Sequence, residues 1–369
     1  MKKLTNTILV STVLSTALWA APAFANPGEA KEGNGEATRA APMDIQIGRA
    51  KPITPPKLEG DEASRAAPIT DEAKAVESLS VLTRSAKGEV TTTAPSEEVR
   101  ALVIESLKPE GEQKSDGKKL EKAGDPVLTE GEEANRQVFG PDDRVQIKNT
   151  KVYPFTAIGY IEGKTKKGEY GSCSGALIGP RTVLTAAHCV FSNEQAAENG
   201  GDGWLTDVIF APGLNGPEDA PCGAYQAEST SIIEGFVKNY QGFYGSVIQW
   251  DMGIITLAEP IGDNLGWLGY ANYDDLGDFD ANIVGYPGDK PAATMWRATC
   301  PVTAEAIGPD NFEYLCDTYP GSSGSSVYAY DQSSKQRIVL GVNIAESKES
   351  NTAIRLNAAN VAWINSLWK

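Results

Sequence analysis

From Val138 onward the chain is written in short apolar runs separated by turn residues, and no other feature constrains its fold as much. YPFTAIGYI, SCSGALIG, TVLTAAHCV, DVIFAPG, SVIQWDMGIITL, ANIVGYPG and QRIVLGVNIA are strand-length and rich in Val, Ile, Tyr and Thr. Gly, Pro, Asn or Asp bounds them. Branched and aromatic side chains suit a pleated, half-buried surface, and the punctuation supplies turns, so the pattern predicts an all-β barrel or sandwich. Only the end departs from it. In LNAANVAWINSLWK, Val361, Ile364, Leu367 and Trp368 fall at helical spacing, which predicts a terminal helix packed on the last barrel.

Residues 26–137 have a different texture: Ala, Glu, Lys, Gly and Pro dominate, and Cys and Trp are absent. TRAAPM at 38–43 recurs as SRAAPI at 64–69, a weak repeat without a folded period. Such composition buries too little apolar area to offset chain entropy, so the stretch reads as a propeptide, mostly disordered. A flexible linker or stalk is the competing reading. One segment, DEAKAVESLSVLTRSA at 71–86, predicts a helix.

Ahead of it, Lys2 and Lys3 precede an apolar run at 8–19 and the small-residue site Ala23-Phe24-Ala25. That is the pattern of a secretory signal over 1–25; the apolar run is too short for a membrane anchor. The mature protein is therefore expected outside the cell or in a periplasm, where five cysteines meet oxidising conditions. The formal net charge is −16, and residues 138–369 hold 15 Lys and Arg against 27 Asp and Glu. Nucleic acid and anionic membrane surfaces reward the opposite sign, so neither is an expected partner.

His188, in TAAHC, is the only histidine. Alone it reads as structural more readily than catalytic. Its company changes that: Asp251 opens an apolar strand in WDMGIITL, and Ser323 sits in PGSSGSS at 320–326. A serine hydroxyl becomes a useful nucleophile when an imidazole takes its proton, and the imidazole needs a carboxylate on its other nitrogen. Glycines beside the serine let the Gly321 and Ser323 amides converge on an oxyanion, worth about 3 kcal/mol per donor. Each residue has a blander reading. The serines could form a mere Gly/Ser turn, Asp251 could be one surface aspartate among many, and Cys189 beside His188 could hint at a metal pair. Metal sites want three or four ligands, and no second histidine exists. The order His188, Asp251, Ser323 excludes the α/β-hydrolase arrangement and matches the chymotrypsin-type double barrel.

TAAHC, the Asp251 strand and GSSGS in this order resemble the chymotrypsin-like serine proteases. GYPGDKPAATMW at 285–296, CDTYPGSSGS at 316–325 and VFGPDDR at 138–144 are similar to phrases of the secreted bacterial glutamyl endopeptidase branch. The resemblance covers 138–369 and none of the propeptide. It implies two antiparallel β-barrels, the first at about 138–260 with His188 and Asp251, the second at about 261–369 with Ser323. The site would lie in the cleft between them. It also implies a serine endopeptidase made as a proenzyme, acting on proteins or peptides as a monomer, with no metal or organic cofactor. In the same frame, Cys173–Cys189 and Cys300–Cys316 are the expected disulfides. Cys222 is left over, either a free thiol or an intermolecular link, in a stretch at 192–235 that reads as an insertion.

Departures from the branch bear on the substrate pocket. Asn343 stands where the resemblance leads one to expect a histidine, Thr318 matches the branch, and Asp317 lies six residues before Ser323, where trypsin-like enzymes hold an aspartate that favours Arg or Lys but where glutamyl members can carry one too. Ile344, Ala345 and Glu346 replace glycines at the pocket rim. Preference between Glu or Asp and Arg or Lys before the scissile bond is left open by these residues. Ser322 precedes Ser323 where many zymogens carry an activating Asp, so cleavage near Arg136, Gln137 and Val138, freeing a new N-terminus, is the expected activation. A catalytically weak or inactive homologue acting as a secreted binding or toxin-like module is the alternative.

Overall fold

The protein is described from a computed structural model over residues 47–54, 69–109, 113–114, 117–125, 142–347 and 349–369. The signal at 1–25, the cleavage region at 136–138 and the phrase TRAAPM lie outside the described residues. Among the described residues no helix is long and apolar enough to cross a membrane.

Within 26–137, where composition predicts disorder, a folded stretch is found. After β1 (Lys51–Pro52) come α1 (Glu72–Ser78), β2 (Val81–Ser85), β3 (Val90–Thr93), α2 (Glu97–Ser106) and β4 (Lys122–Ala123). Asp71 caps α1 by accepting from Lys74 N at 2.8 Å, and Ser96 caps α2 by accepting from Val99 N at 3.2 Å. The helix expected over 71–86 stops at Ser78. Beyond it Val81 to Ser85 pair antiparallel with a barrel strand, Val81 opposite Ile233 and Ser85 opposite Ser229. Val76, Leu79, Val81, Val99 and Val103 are buried in the same cluster as that barrel. The segment has too little apolar surface for a core of its own and completes the core of its neighbour instead.

Next, β5 (Val145–Gln146) pairs with the second sheet although it falls inside the range read as the first barrel. The first barrel is built from β6 (Ile158–Lys164), β7 (Tyr170–Leu177), β8 (Thr182–Thr185), β9 (Thr206–Pro212), β10 (Tyr225–Ile233) and β11 (Gly253–Leu257). The order β11-β8-β7-β6-β9-β10 closes through a β10–β11 pairing. The stretch 192–235 is thus no insertion. Around a short helix α3 (Asn193–Glu198) it supplies β9, the run DVIFAPG, and β10, two of the six staves; the Gly- and Pro-rich turn at 213–224 separates them. Two further short helices, α4 (Gly235–Lys238) and α5 (Gly262–Leu265), flank β11.

The second sheet holds β12 (Gly269–Tyr270), β13 (Phe279–Gly285), β14 (Trp296–Val302), β15 (Asn311–Tyr314), β16 (Ser326–Asp331), β17 (Gln336–Glu346) and β18 (Asn351–Arg355). Its order is β15-β18-β17-β16-β13-β14-β5, so β14 and β15 lie apart in the ladder and the barrel stays open there. The Cys300–Cys316 disulfide spans the opening, from β14 to the residues just after β15. The terminal helix α6 (Ala358–Leu367), capped by Asn357, buries Ala362, Trp363 and Ile364. It packs on α2, and the residues after it bond the first barrel rather than the last: Trp368 Nε1 donates to Ile178 O at 2.8 Å and Arg181 N donates to Lys369 O at 2.9 Å.

Candidate active site

β8 and β11 run antiparallel with Thr185 opposite Gly253, so the chain leaving β8 and the chain entering β11 meet at one end of the first barrel. His188 sits there in a single turn at Ala187–Cys189, and Asp251 directly follows the turn Ile248–Trp250. The Cys173–Cys189 disulfide ties this turn to β7. Asp251 Oδ2 lies 2.6 Å from His188 Nδ1, and Oδ1 accepts from the His188 amide at 2.9 Å. Tyr244 donates its hydroxyl to Oδ2 as well. Burial, with the neighbouring carboxylate, holds the Tyr244 phenol well above the usual tyrosine range, so it remains a donor. Three donors thus satisfy one fully buried carboxylate.

Ser323 belongs to the loop between β15 and β16, closed by Ser322 N donating to Tyr319 O at 2.8 Å and Ser325 N to Ser322 O at 3.0 Å. Gly324, at φ +82°, is obligatory: a Cβ there would stand 2.2 Å from Thr185 Oγ1 and 2.3 Å from Ser174 O. Its absence lets the loop press against the end of β8, three residues before His188. Ser174 joins the two barrels. Its amide donates to Ser323 O at 2.8 Å, its hydroxyl donates to Gly321 O at 2.8 Å and accepts from Tyr286 N at 2.9 Å. Both His188 Nε2 and Ser323 Oγ are buried and neither has a hydrogen-bond partner. Among the described residues the Gly321 and Ser323 amides donate to no protein acceptor either. An imidazole with one nitrogen fixed and the other open, a buried hydroxyl and two open amides can together support acyl transfer.

The expected pocket residues come together on one side of this loop. Asn343 is buried, accepts the Tyr314 hydroxyl on Oδ1, and donates Nδ2 to Ser322 O at 3.1 Å. Thr318 donates its hydroxyl to Glu346 Oε1 at 3.1 Å, and Asp317 Oδ2 accepts from Asp143 N at 3.2 Å. Burial pushes the Glu346 carboxyl up. Arg144 is bound to Asp142 at 2.8 Å and to Asp289 at 2.9 Å, and the bonds from Arg144 hold the Asp142 carboxyl well below its usual range. Cys222 carries no disulfide. Tyr244, Ser174 and Tyr314 escape a reading of the sequence. For Ser174 alone a local signal exists, its place directly after Cys173.

Cys173, His188 and Cys189 are the one group of His, Cys, Asp or Glu donors close enough to share an ion among the described residues. They do not fit one: both sulfurs are consumed in the disulfide and His188 Nδ1 is engaged by Asp251.

The family model of the trypsin-like peptidase domain matches residues 173–335. A glutamyl endopeptidase of Bacillus licheniformis is 34% identical over 199 residues, covering 54% of this chain and 56% of the relative. A protein of Bacillus subtilis named extracellular metalloprotease is 31% identical over 229 residues, covering 60% of this chain and 67% of the relative. This chain thus spans little more than half of the first and two thirds of the second. A solved Glu endopeptidase, in complex with MPD, superposes with a TM-score of 0.52 at 26% identity, over 63% of this chain and 99% of that one. With the closed barrel, the disulfide-linked open one and the histidine and serine loops at their junction, the chain belongs to the chymotrypsin-fold serine proteases, on the glutamyl endopeptidase branch.

Proposed function

We propose that this chain is the proenzyme of an exported serine endopeptidase, with a signal over 1–25, a propeptide over 26–137 and the protease domain over 138–369. The first barrel spans about 138–260 and the second about 261–369, with β5 crossing to the second sheet. Ser323 Oγ attacks the peptide carbonyl and passes its proton to His188 Nε2; Asp251 fixes the tautomer and balances the imidazolium. The Gly321 and Ser323 amides take the oxyanion, each worth about 10²–10³ in rate. His188 then returns the proton to the leaving amine, and water resolves the acyl-enzyme by the same route. The observation that carries this reading is the open state of His188 Nε2 and Ser323 Oγ, both buried, while Asp251 holds the other side of the ring.

Proenzyme status is supported by β1. Lys51 and Pro52 pair in parallel with Gly171 and Ser172, and Ile53 N donates to Ser172 O at 2.8 Å. Pro52 is packed so closely on Gly288 that a Cβ there would stand 2.0 Å from its Cγ, and a Cβ on Gly321 would stand 3.4 Å from its Cβ. A propeptide strand therefore lies close to Gly321, one of the two proposed oxyanion donors.

The test is to incubate the processed domain, beside Ser323→Ala, with denatured proteins and read new peptide termini by mass spectrometry. New termini that require Ser323 are the expected result. None, from folded and processed protein, would favour a secreted binding module. N-terminal sequencing of the exported form checks cleavage near Val138.

A further inference from the structure

β16 starts beside the Ser323 loop, and at its far end residues 120–125 lie docked on it as an added strand. β13 covers this side of β16 at Val327 and Tyr328; β4 continues the ladder, with Ala123 opposite Tyr330 and Lys122 opposite Asp331. Gln332 N donates to Glu121 O at 2.7 Å, and Glu121 N donates to Asp331 Oδ1 at 3.1 Å. Glu121, Lys122 and Gly124 stay exposed. Two side chains are gripped instead. Leu120 packs against the core of the second barrel, and Asp125 is buried on Arg337, which donates Nε at 2.6 Å and Nη2 at 2.5 Å. The guanidinium also lies 5.1 Å from the centre of the Tyr153 ring and 5.8 Å from that of Tyr330, which keep it in place. Nearby, the buried Tyr328 hydroxyl has no hydrogen-bond partner among the described residues, and both charges of the pair act on it.

Arg337 belongs to β17 and stays with the protease domain when residues 26–137 leave. A buried guanidinium stripped of its carboxylate is strongly unfavourable, so the vacated socket favours another one held by the same two-pronged geometry. We propose that the edge of β16 and Arg337 form a peptide-binding site, away from Ser323, for an extended segment of a polypeptide substrate carrying a leucine and, five positions on, an aspartate. The proposal rests on the reading above in taking residues 26–137 to depart and the enzyme to cut polypeptides. The ladder supplies backbone bonds that any sequence can make, and the places of Leu120 and Asp125 supply the selection. Strand direction favours a substrate as the occupant. β16 runs away from the Ser323 loop and β4 is antiparallel to it, so a chain docked as β4 is docked heads back toward that loop. In the precursor residues 120–125 fill the site in cis.

Two measurements keep failure of this proposal apart from failure of the endopeptidase reading. The first needs no cleavage. A fluorescein-labelled, C-terminally amidated peptide with the sequence of residues 117–125 is titrated into Ser323→Ala protein that has been processed and separated from residues 26–137. Saturable anisotropy is the expected result, with binding weakened at least tenfold by Asp125→Asn in the peptide and weakened also by Leu120→Ala. Absent binding, or equal binding of the Asp and Asn peptides, overturns the proposal. Because the decisive substitution lies in the peptide, the folding of an Arg337 variant does not enter. The second measurement gives the processed enzyme two peptides with the same cleaved core. One carries Leu-Glu-Lys-Ala-Gly-Asp and a Gly/Ser linker ahead of the core; the other has Asn in place of the Asp. The expected result is a kcat/KM about tenfold higher for the Asp peptide, gained through KM. Equal values beside tight binding in the first measurement would make the released propeptide the occupant and overturn the assignment to substrate. If neither peptide is cut, the endopeptidase reading fails, and the first measurement still decides whether the site exists.

Discussion

Asp251 holds His188 at two points, ring Nδ1 at 2.6 Å and backbone amide at 2.9 Å, so the carboxylate sets both the tautomer and the place of the turn that carries the ring. A carboxamide in place of the carboxylate would offer an N–H to one of these donors and reverse the tautomer. Asp251→Asn should lower kcat by about 10⁴ at neutral pH with little change in KM. Tyr244→Phe, removing the third donor to the same carboxylate, should cost about 1–1.5 kcal/mol, roughly tenfold in kcat. Steady-state kinetics on processed protein checks both.

Gly321 combines φ +102° with a Cβ position only 2.5 Å from Tyr286 O. Gly321→Ala should therefore strain the loop by about 1–3 kcal/mol and turn its amide away from the oxyanion. A drop of about 10² or more in kcat, with a lower Tm by calorimetry, is the expected pair of results. Normal turnover with a lower Tm would remove Gly321 from the oxyanion role.

The second barrel has no ladder across the gap between β14 and β15, and the Cys300–Cys316 disulfide bridges it over a 16-residue separation. Loop closure of that length is worth about 3 kcal/mol in the chain-entropy model. The double variant Cys300→Ser/Cys316→Ser should lose about that much in urea titrations, and reduction of the wild type, which also opens Cys173–Cys189, should lose more.

Arg337 on β17 is paired with Asp125 at 2.6 Å, their side chains 7% and 0% exposed, and Asp125 belongs to the proposed propeptide. Removing one partner strands a buried charge, so Asp125→Ala should destabilise the unprocessed Ser323→Ala chain by about 3–5 kcal/mol. The same substitution cannot affect protein from which residues 26–137 have been cut and separated. Equal melting of the two precursors would show that the propeptide is not docked as described.

Burial pushes the Cys222 thiol up to about 11 from its usual 9.0. The raised folded value means that the neutral thiol's contribution to stability is complete below pH 9 and lost as pH rises toward 11. At about pH 8, below both values, the thiol should react with a maleimide far more slowly in the native protein than in urea, with the native rate climbing as pH approaches 11. Cys222→Ala should abolish the labelling and flatten the alkaline limb of the stability profile.

Much of this protein is local and so was open to reading along the chain. Strand-length runs from Val138, the terminal helix pattern and the phrases around His188, Asp251 and Ser323 are each set by neighbours in sequence, while the two cysteine pairings came from the family resemblance. Side-chain period and turn chemistry need no knowledge of distant residues. Other features are pairings over long separations, and only the tertiary structure decided them. Residues 71–106 look incapable of a core because composition counts only their own apolar groups; Val76, Val99 and Val103 find the rest of the core on the first barrel. β10 looks like part of an insertion because closing a barrel is a property of six strands together. Thr318 and Asn343 look like donors for a substrate until Glu346, Tyr314 and Ser322 are seen to occupy them. Sequence determines which groups are present, and folding determines which remain unpaired, because a donor already spent on a neighbour is no longer a recognition element.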